Sequence, residues 1–111
     1  MDYDREFLTG AVGVLLLGLL SERPMYGSEI LAHAERRSDR ALRMKEGTLY
    51  PALHKMERAG LLKAEWRKND AGRQRKYYRL TAKGRRRAQS KILQWRTIST
   101  ALRSILGGAH G

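Results

Sequence analysis

The sequence predicts a mainly α fold that carries a small two-stranded β-wing and ends in one long helix. Three observations predict it. Within Lys45–Leu62, Leu49, Leu53 and Met56 recur at i, i+4 and i+7, the stripe of a helix docked on a small core. Between Leu61 and Leu80 the period drops to two: Leu62, Ala64 and Trp66 alternate with Lys63, Glu65 and Arg67, and Tyr78 and Leu80 with Tyr77 and Arg79. From Ala88 onward, Ile92, Trp95, Ser99, Leu102 and Leu106 follow at alternating spacings of four and three, close to a 3.5-residue seam. Two further helices ahead of Lys45–Leu62 complete a winged helix-turn-helix over residues 1–80, followed by a dimerisation helix over 81–106 and a flexible tail over 107–111.

Composition narrows the classes of function. The 111 residues suffice for one domain with a modest core. The chain has no cysteine, which excludes a disulfide framework and thiolate chemistry. The formal net charge of +12 points to a polyanionic partner, nucleic acid before a membrane surface. That charge is segregated. Residues 1–70 hold 12 Lys/Arg against 11 Asp/Glu, whereas residues 71–111 hold 11 Lys/Arg and no acid. Solubility alone needs no such division. The longest uncharged run, Leu8–Ser21, is 14 residues, too short to span a bilayer. Asp2, Asp4 and Glu6 precede it where a secretory leader would be positive, so a cytoplasmic location is expected. His33, His54 and His110 lack metal-ligand spacing, and no serine has a nucleophile context. No enzyme activity, metal or cofactor is expected.

In chain order, Phe7–Leu20 reads as a helix apolar on most sides, with a strand as the weaker alternative because Val12 and Val14 are β-branched. Such a helix needs neighbours on several sides, a second subunit among them. Pro24 breaks the chain, and Met25–Arg37 reads as a second helix with Ile30, Leu31 and Ala34 inward. Tyr26 sits at its start, where free N–H groups are suited to a phosphate. A polar link, Ser38–Met44, leads to the third helix. Thr48 is a good N-cap, which would leave Pro51 without cost; a start near Lys45 would cost Pro51 one internal bond. A loose polar tip, Lys68–Arg73, joins the strands, with Trp66 and Tyr78 as a cross-strand aromatic pair. The last helix spans roughly 37 Å at the helical rise and overhangs a small domain, so its distal half needs a partner, most simply its own copy.

These residues resemble the PadR-like transcriptional regulators. The resemblance rests on LLLGLLSERPMYGSEI (Leu15–Ile30), on GTLYPAL and ERAGL within Glu46–Leu62, and on GRQRKYYRLT with Lys83-Gly84. From first to last, in order, these blocks span residues 15–84, about two-thirds of the chain. The single C-terminal helix resembles the family's shorter subgroup. The resemblance implies a dimeric DNA-binding regulator, usually a repressor. Some members lose DNA affinity on binding small aromatic or drug-like molecules, in places between the subunits. An aromatic residue on the last helix can line that cavity, and Trp95 falls at a similar place. The last helix has no acid to capture a cationic drug, although Asp4 or Glu6 could contribute one.

The third helix would enter the major groove, with Tyr50, His54, Lys55 and Arg58 as groove contacts, Thr48 near its start and Lys45 reaching the backbone. Arg73, Arg75 and Lys76 mark the wing, where an arginine suits a narrow minor groove. Each of these side chains also has an ordinary reading as a solvated surface group. Arg85–Arg87 oppose the dipole of the last helix and are candidates for phosphate or for acids of another subunit. Trp66 reads as structural, and Trp95 as either a packing anchor or a ligand wall. Leu8, Val12, Leu15, Ile92, Trp95, Leu102 and Leu106 are the expected dimer contacts. The expected partners are double-stranded DNA with a palindromic operator, a second copy of the chain and a small aromatic effector. The competing function is a non-specific or architectural nucleic-acid binder.

Overall fold

The computed structural model describes residues 5–107, with side chains from residue 10 onward. The order of elements is α1 (Arg5–Glu22), β1 (Met25–Tyr26), α2 (Gly27–Arg37), α3 (Glu46–Arg58), β2 (Leu62–Lys68), β3 (Gln74–Leu80) and α4 (Ala82–Leu106). The side chains of Glu6 and Leu8, all of Asp4, and residues 108–111 of the tail lie outside the described residues.

α1 is the spine. It packs on α2, α3, β3 and α4, which explains why it is apolar nearly all round. Leu16 is fully buried, and Val12, Leu17 and Leu20 nearly so. Ile30 and Ala34 of α2, Leu49, Leu53 and Met56 of α3, and Tyr78 and Leu80 of β3 close the core around it. Val12, expected at a dimer surface, therefore belongs to the chain's own core. Leu15 is half-buried.

Met25 and Tyr26 form a strand rather than the first turn of α2. Pro24 biases Arg23 toward extended backbone, and Tyr26 at φ −93°, ψ 165° prolongs that direction. Met25 pairs with Tyr78 and Tyr26 with Tyr77, so the hairpin gains a third strand in the order β1-β3-β2. Pairing covers the free edge of β3 and buries Met25 completely.

α3 starts at Glu46 with Lys45 as N-cap and no side-chain cap bond. Thr48 is thus inside the first turn, and Pro51 cannot return a hydrogen bond to the Gly47 carbonyl. The burial of Leu49 in the core fixes this earlier start despite the lost bond. The link before α3 turns through Asp39 and Arg40, both at positive φ, and the Ser38 hydroxyl braces it by donating to the Ala34 carbonyl at 2.8 Å and accepting from Leu42 N–H at 3.0 Å.

The hairpin tip is tight, not loose. Asn69 Oδ1 accepts from the amides of Ala71 (3.0 Å) and Arg73 (2.9 Å), and Gly72 supplies the positive φ of 79°. This turn sets Trp66 opposite Lys76 and Ala64 opposite Tyr78. The expected Trp66–Tyr78 pair is therefore not directly opposed. Trp66 is not structural either, because it is 68% exposed.

α4 is tied to the end of α3. Thr81 caps α4 by accepting from Gly84 N–H at 3.0 Å, and its hydroxyl donates to the Gly60 carbonyl at 2.6 Å. Lys83 Nζ donates to the Ala59 carbonyl at 2.8 Å, an ammonium at the negative end of α3. Gly84 and Ala88 are buried and Ile92 is half-buried, so the first turns of α4 belong to the core. From Leu93 to Leu106 every residue is exposed. The radius of gyration, 15.3 Å, exceeds the about 13 Å expected of a compact chain of this length. The overhanging half of α4 accounts for the excess.

Candidate nucleic-acid interface

With Leu49, Leu53 and Met56 turned inward, the opposite face of α3 presents Gly47, Pro51, His54, Lys55 and Arg58, all exposed. These recur at three and four, so they share one side of the helix. Tyr50 stands apart. It packs against the core and lies against the start of α2, where a side chain on Gly27 would overlap its phenol ring. Its primary work is to seat α3 on α2. Its ring centroid lies 6.4 Å from that of His54, so it also backs one exposed side chain of α3. Thr48 is half-buried and Lys45 exposed.

The ion pairs are unevenly shared. Glu22 takes Arg37 (2.8 Å) and is hydrogen-bonded to His33 (3.2 Å), Glu29 takes Arg23, Glu35 takes Arg43, and Glu65 takes Arg79 at 3.6 Å. Among the described residues, none of Lys45, Lys55, Arg58, Arg73, Arg75 and Lys76 has a carboxylate partner, nor do Arg85, Arg86 and Arg87. The positive charge left over lies on α3, the wing and the first turns of α4. Arg79, by contrast, is spent on Glu65.

One face of the sheet holds a second set of cations that sequence reasoning missed. Arg67 stacks over the Tyr77 ring at 4.0 Å, and Arg75 lies 5.7 Å from the centroid of Tyr26. Tyr26 and Tyr77 meet edge to face at 5.3 Å. Arg67 and Arg75 are directly opposed in the register, an arrangement that costs free energy unless an anion joins them. Burial, then the Glu29 carboxylate, pushes the Tyr77 phenol up from its usual pKa, with Arg67 acting the other way. Burial does the same to Tyr78. Both rings serve as cation platforms, Tyr77 for Arg67 and Tyr78 for Lys76, whose Nζ lies 5.7 Å from the ring centroid.

Tyr26, His54, Trp66, Arg75 and Lys76 line a cleft of about 410 Å³ between the start of α2, α3 and the wing. Glu46 is its only acidic wall. The start of α2 is a poorer phosphate seat than its free amides suggested. The Tyr26 N–H already reaches Glu29 Oε1 at 3.4 Å, while Arg23 holds the other oxygen at 3.0 Å.

Away from this surface, Trp95 is 37% exposed and separates two hollows. The inner one, about 210 Å³, is walled by Gly10 and Gly13 of α1, Met56 and Leu61 at the end of α3, and Arg87 and Lys91 of α4. The outer one runs along Ile92, Ser99 and Arg103. The seam that buries Gly84, Ala88 and Ile92 continues past Trp95 to Leu102 and Leu106, 46% and 78% exposed.

An exposed helix with unpaired cations, a basic three-stranded wing and the helix-turn-helix scaffold define a winged-helix DNA-binding protein. The family model of the transcriptional regulator PadR-like family matches residues 16–90, and the chain belongs to that family. It is therefore a DNA-binding transcriptional regulator. It is 35% identical over 104 residues to a transcriptional regulator of Mycobacterium tuberculosis, covering 94% of this chain and 91% of that protein. Among solved structures it is similar to a PadR-like transcriptional regulator of Bacillus cereus, with a TM-score of 0.80, 25% identity, and 92% and 97% of the two chains covered. A PadR family regulator of Clostridium difficile aligns with a TM-score of 0.72 at 35% identity, covering 86% of this chain and 98% of that one. No helix among the described residues is long and apolar enough to cross a membrane.

Proposed function

We propose that the chain acts as a homodimeric, sequence-specific repressor that reads a palindromic operator and releases it when a small aromatic molecule occupies the hollow beside Trp95. The observation that carries this reading is the continuous seam of α4. Its first half is covered by the chain's own core, and its second half has the same apolar pattern with no cover. A second copy is the simplest cover, and twofold symmetry would then present α3 twice on one duplex. The inner hollow abuts Met56 and Leu61, so an occupant would press on the end of the groove-facing helix. Selection of bound duplexes from a random library tests the proposal: a palindromic consensus supports it, and an unenriched pool contradicts it.

Within this reading the contacts divide into two kinds. His54→Ala removes a groove-facing side chain and is expected to cost about 1–3 kcal/mol on the preferred site and much less on random DNA. Arg75→Ala removes a wing cation, so it is expected to weaken all duplexes alike and reduce the salt slope of binding by about 1. Anisotropy titrations on both duplexes at several salt concentrations distinguish the two.

A non-specific architectural role is the second reading, favoured by the unpaired, exposed Arg85–Arg87 at the start of α4. It predicts equal affinity for unrelated sequences.

A further inference from the structure

Among the described residues, seven large apolar side chains are exposed, and six of them ride on α4. Trp95, Leu102 and Leu106 lie on the uncovered seam, and Leu93, Ile98 and Ile105 share its overhanging half of the helix. Trp66 is the seventh, on β2 and 68% exposed. An indole left in water on a wing has lost the usual return for carrying its apolar surface.

Its surroundings favour one kind of occupant. Trp66 faces Lys76 across the hairpin, and Lys68 follows two residues on along the same face. It shares the cleft between α3 and the wing with His54, Arg75 and Lys76, and neither cation, Arg75 or Lys76, has a carboxylate partner among the described residues. An apolar protein surface would leave those charges desolvated and unpaired. A DNA strand offers the opposite: phosphate oxygens that only accept hydrogen bonds, and sugars with apolar faces. Indole Nε1–H only donates, and its ring is apolar.

We propose that Trp66 is a contact for the sugar–phosphate strand crossing the cleft between α3 and the wing, with its indole N–H donating to a phosphate. The proposal rests on α3 and the wing meeting the same duplex. Trp66 then fixes the angle between them, because the strand passing from the groove read by α3 to the one met by the wing lies against it. Being neutral, it adds affinity without adding to the salt slope.

The chain holds two tryptophans, so a nitrogen-15 spectrum of the full-length protein gives two indole N–H signals, and Trp66→Phe identifies the one from Trp66. On titration with a duplex selected by the wild type, that signal is expected to move downfield. Trp66→Phe keeps an aromatic ring, smaller than the indole, and loses the donor, so it is expected to lower affinity about 10-fold, the scale of a hydrogen bond to a charged group, with an unchanged salt slope and melting temperature. A stationary indole signal, or a Trp66→Phe protein that binds as the wild type does, overturns the Trp66 contact while leaving the DNA-binding reading intact. A wild-type chain that binds no duplex overturns both.

Discussion

Aspartates at Leu102 and Leu106 together are expected to turn the chain into a monomer and lower its affinity for a two-half-site duplex by about 10²–10⁴-fold, the gain that linking two binding modules provides. Both side chains lie on the seam, are largely exposed within one chain, and touch none of its buried core. The substitutions are therefore expected to spare the fold while placing four carboxylates across the proposed twofold interface, where desolvation and repulsion oppose association. Ala88 and Ile92 still anchor the first half of α4. Sedimentation gives the mass, and anisotropy on one-half-site and two-half-site duplexes gives the affinities. The reading requires that loss to fall on the two-half-site duplex and that single half-sites bind almost as before. A variant that stays dimeric, or a monomer that binds the full site undiminished, would remove the seam from the account.

The second large effect concerns Gly84, which is buried where α4 crosses the end of α3. A methyl group there would collide with the Leu61 carbonyl oxygen and stand 3.2 Å from Leu80 Cδ2. Neither neighbour can give way easily. The Leu61 carbonyl accepts from Thr81 N–H at 3.0 Å, the Leu61 amide donates to Met56 at 3.0 Å, and Leu80 is fixed in β3 opposite Leu62. Gly84→Ala is expected to cost about 1–3 kcal/mol, the range of overpacking in a filled core. At fixed protein concentration, thermal unfolding by circular dichroism should register roughly 4–8 °C per kcal/mol. Lys83→Ala is the control. It loses one exposed bond to the Ala59 carbonyl and should cost under about 1 kcal/mol. Equal melting temperatures for the two variants would mean that the crossing is looser than described.

Much of this architecture was legible because its signals are periodic. Leu49, Leu53 and Met56 gave the inward face of α3, and Thr81 with Lys83-Gly84 gave the start of α4. What escaped depended on register and on tertiary choice. Alternation assigns Trp66 to a face of its strand but not to a partner, and the turn built by Asn69 shifts the pairing by two residues from the expected one. Trp66 is left exposed on that face. Met25 and Tyr26 look helical beside Gly27–Arg37, yet the free edge of β3 recruits them as a strand. Tyr50 carries the polar hydroxyl expected of a groove contact, but the space left by Gly27 draws its ring inward. The same logic hid Arg67, whose stacking on Tyr77 appears only when β2 and β3 are brought together.

In the proposed dimer, two copies of α3 read one duplex. That arrangement is tested most directly by titrating the selected duplex and a scrambled duplex of equal length at physiological salt, with the mass of the complex measured at saturation. The account predicts two chains per duplex, half-sites about one helical turn apart, and a preference for the selected sequence of at least about 10³-fold. One chain per duplex, or equal affinity for the two sequences, would contradict it.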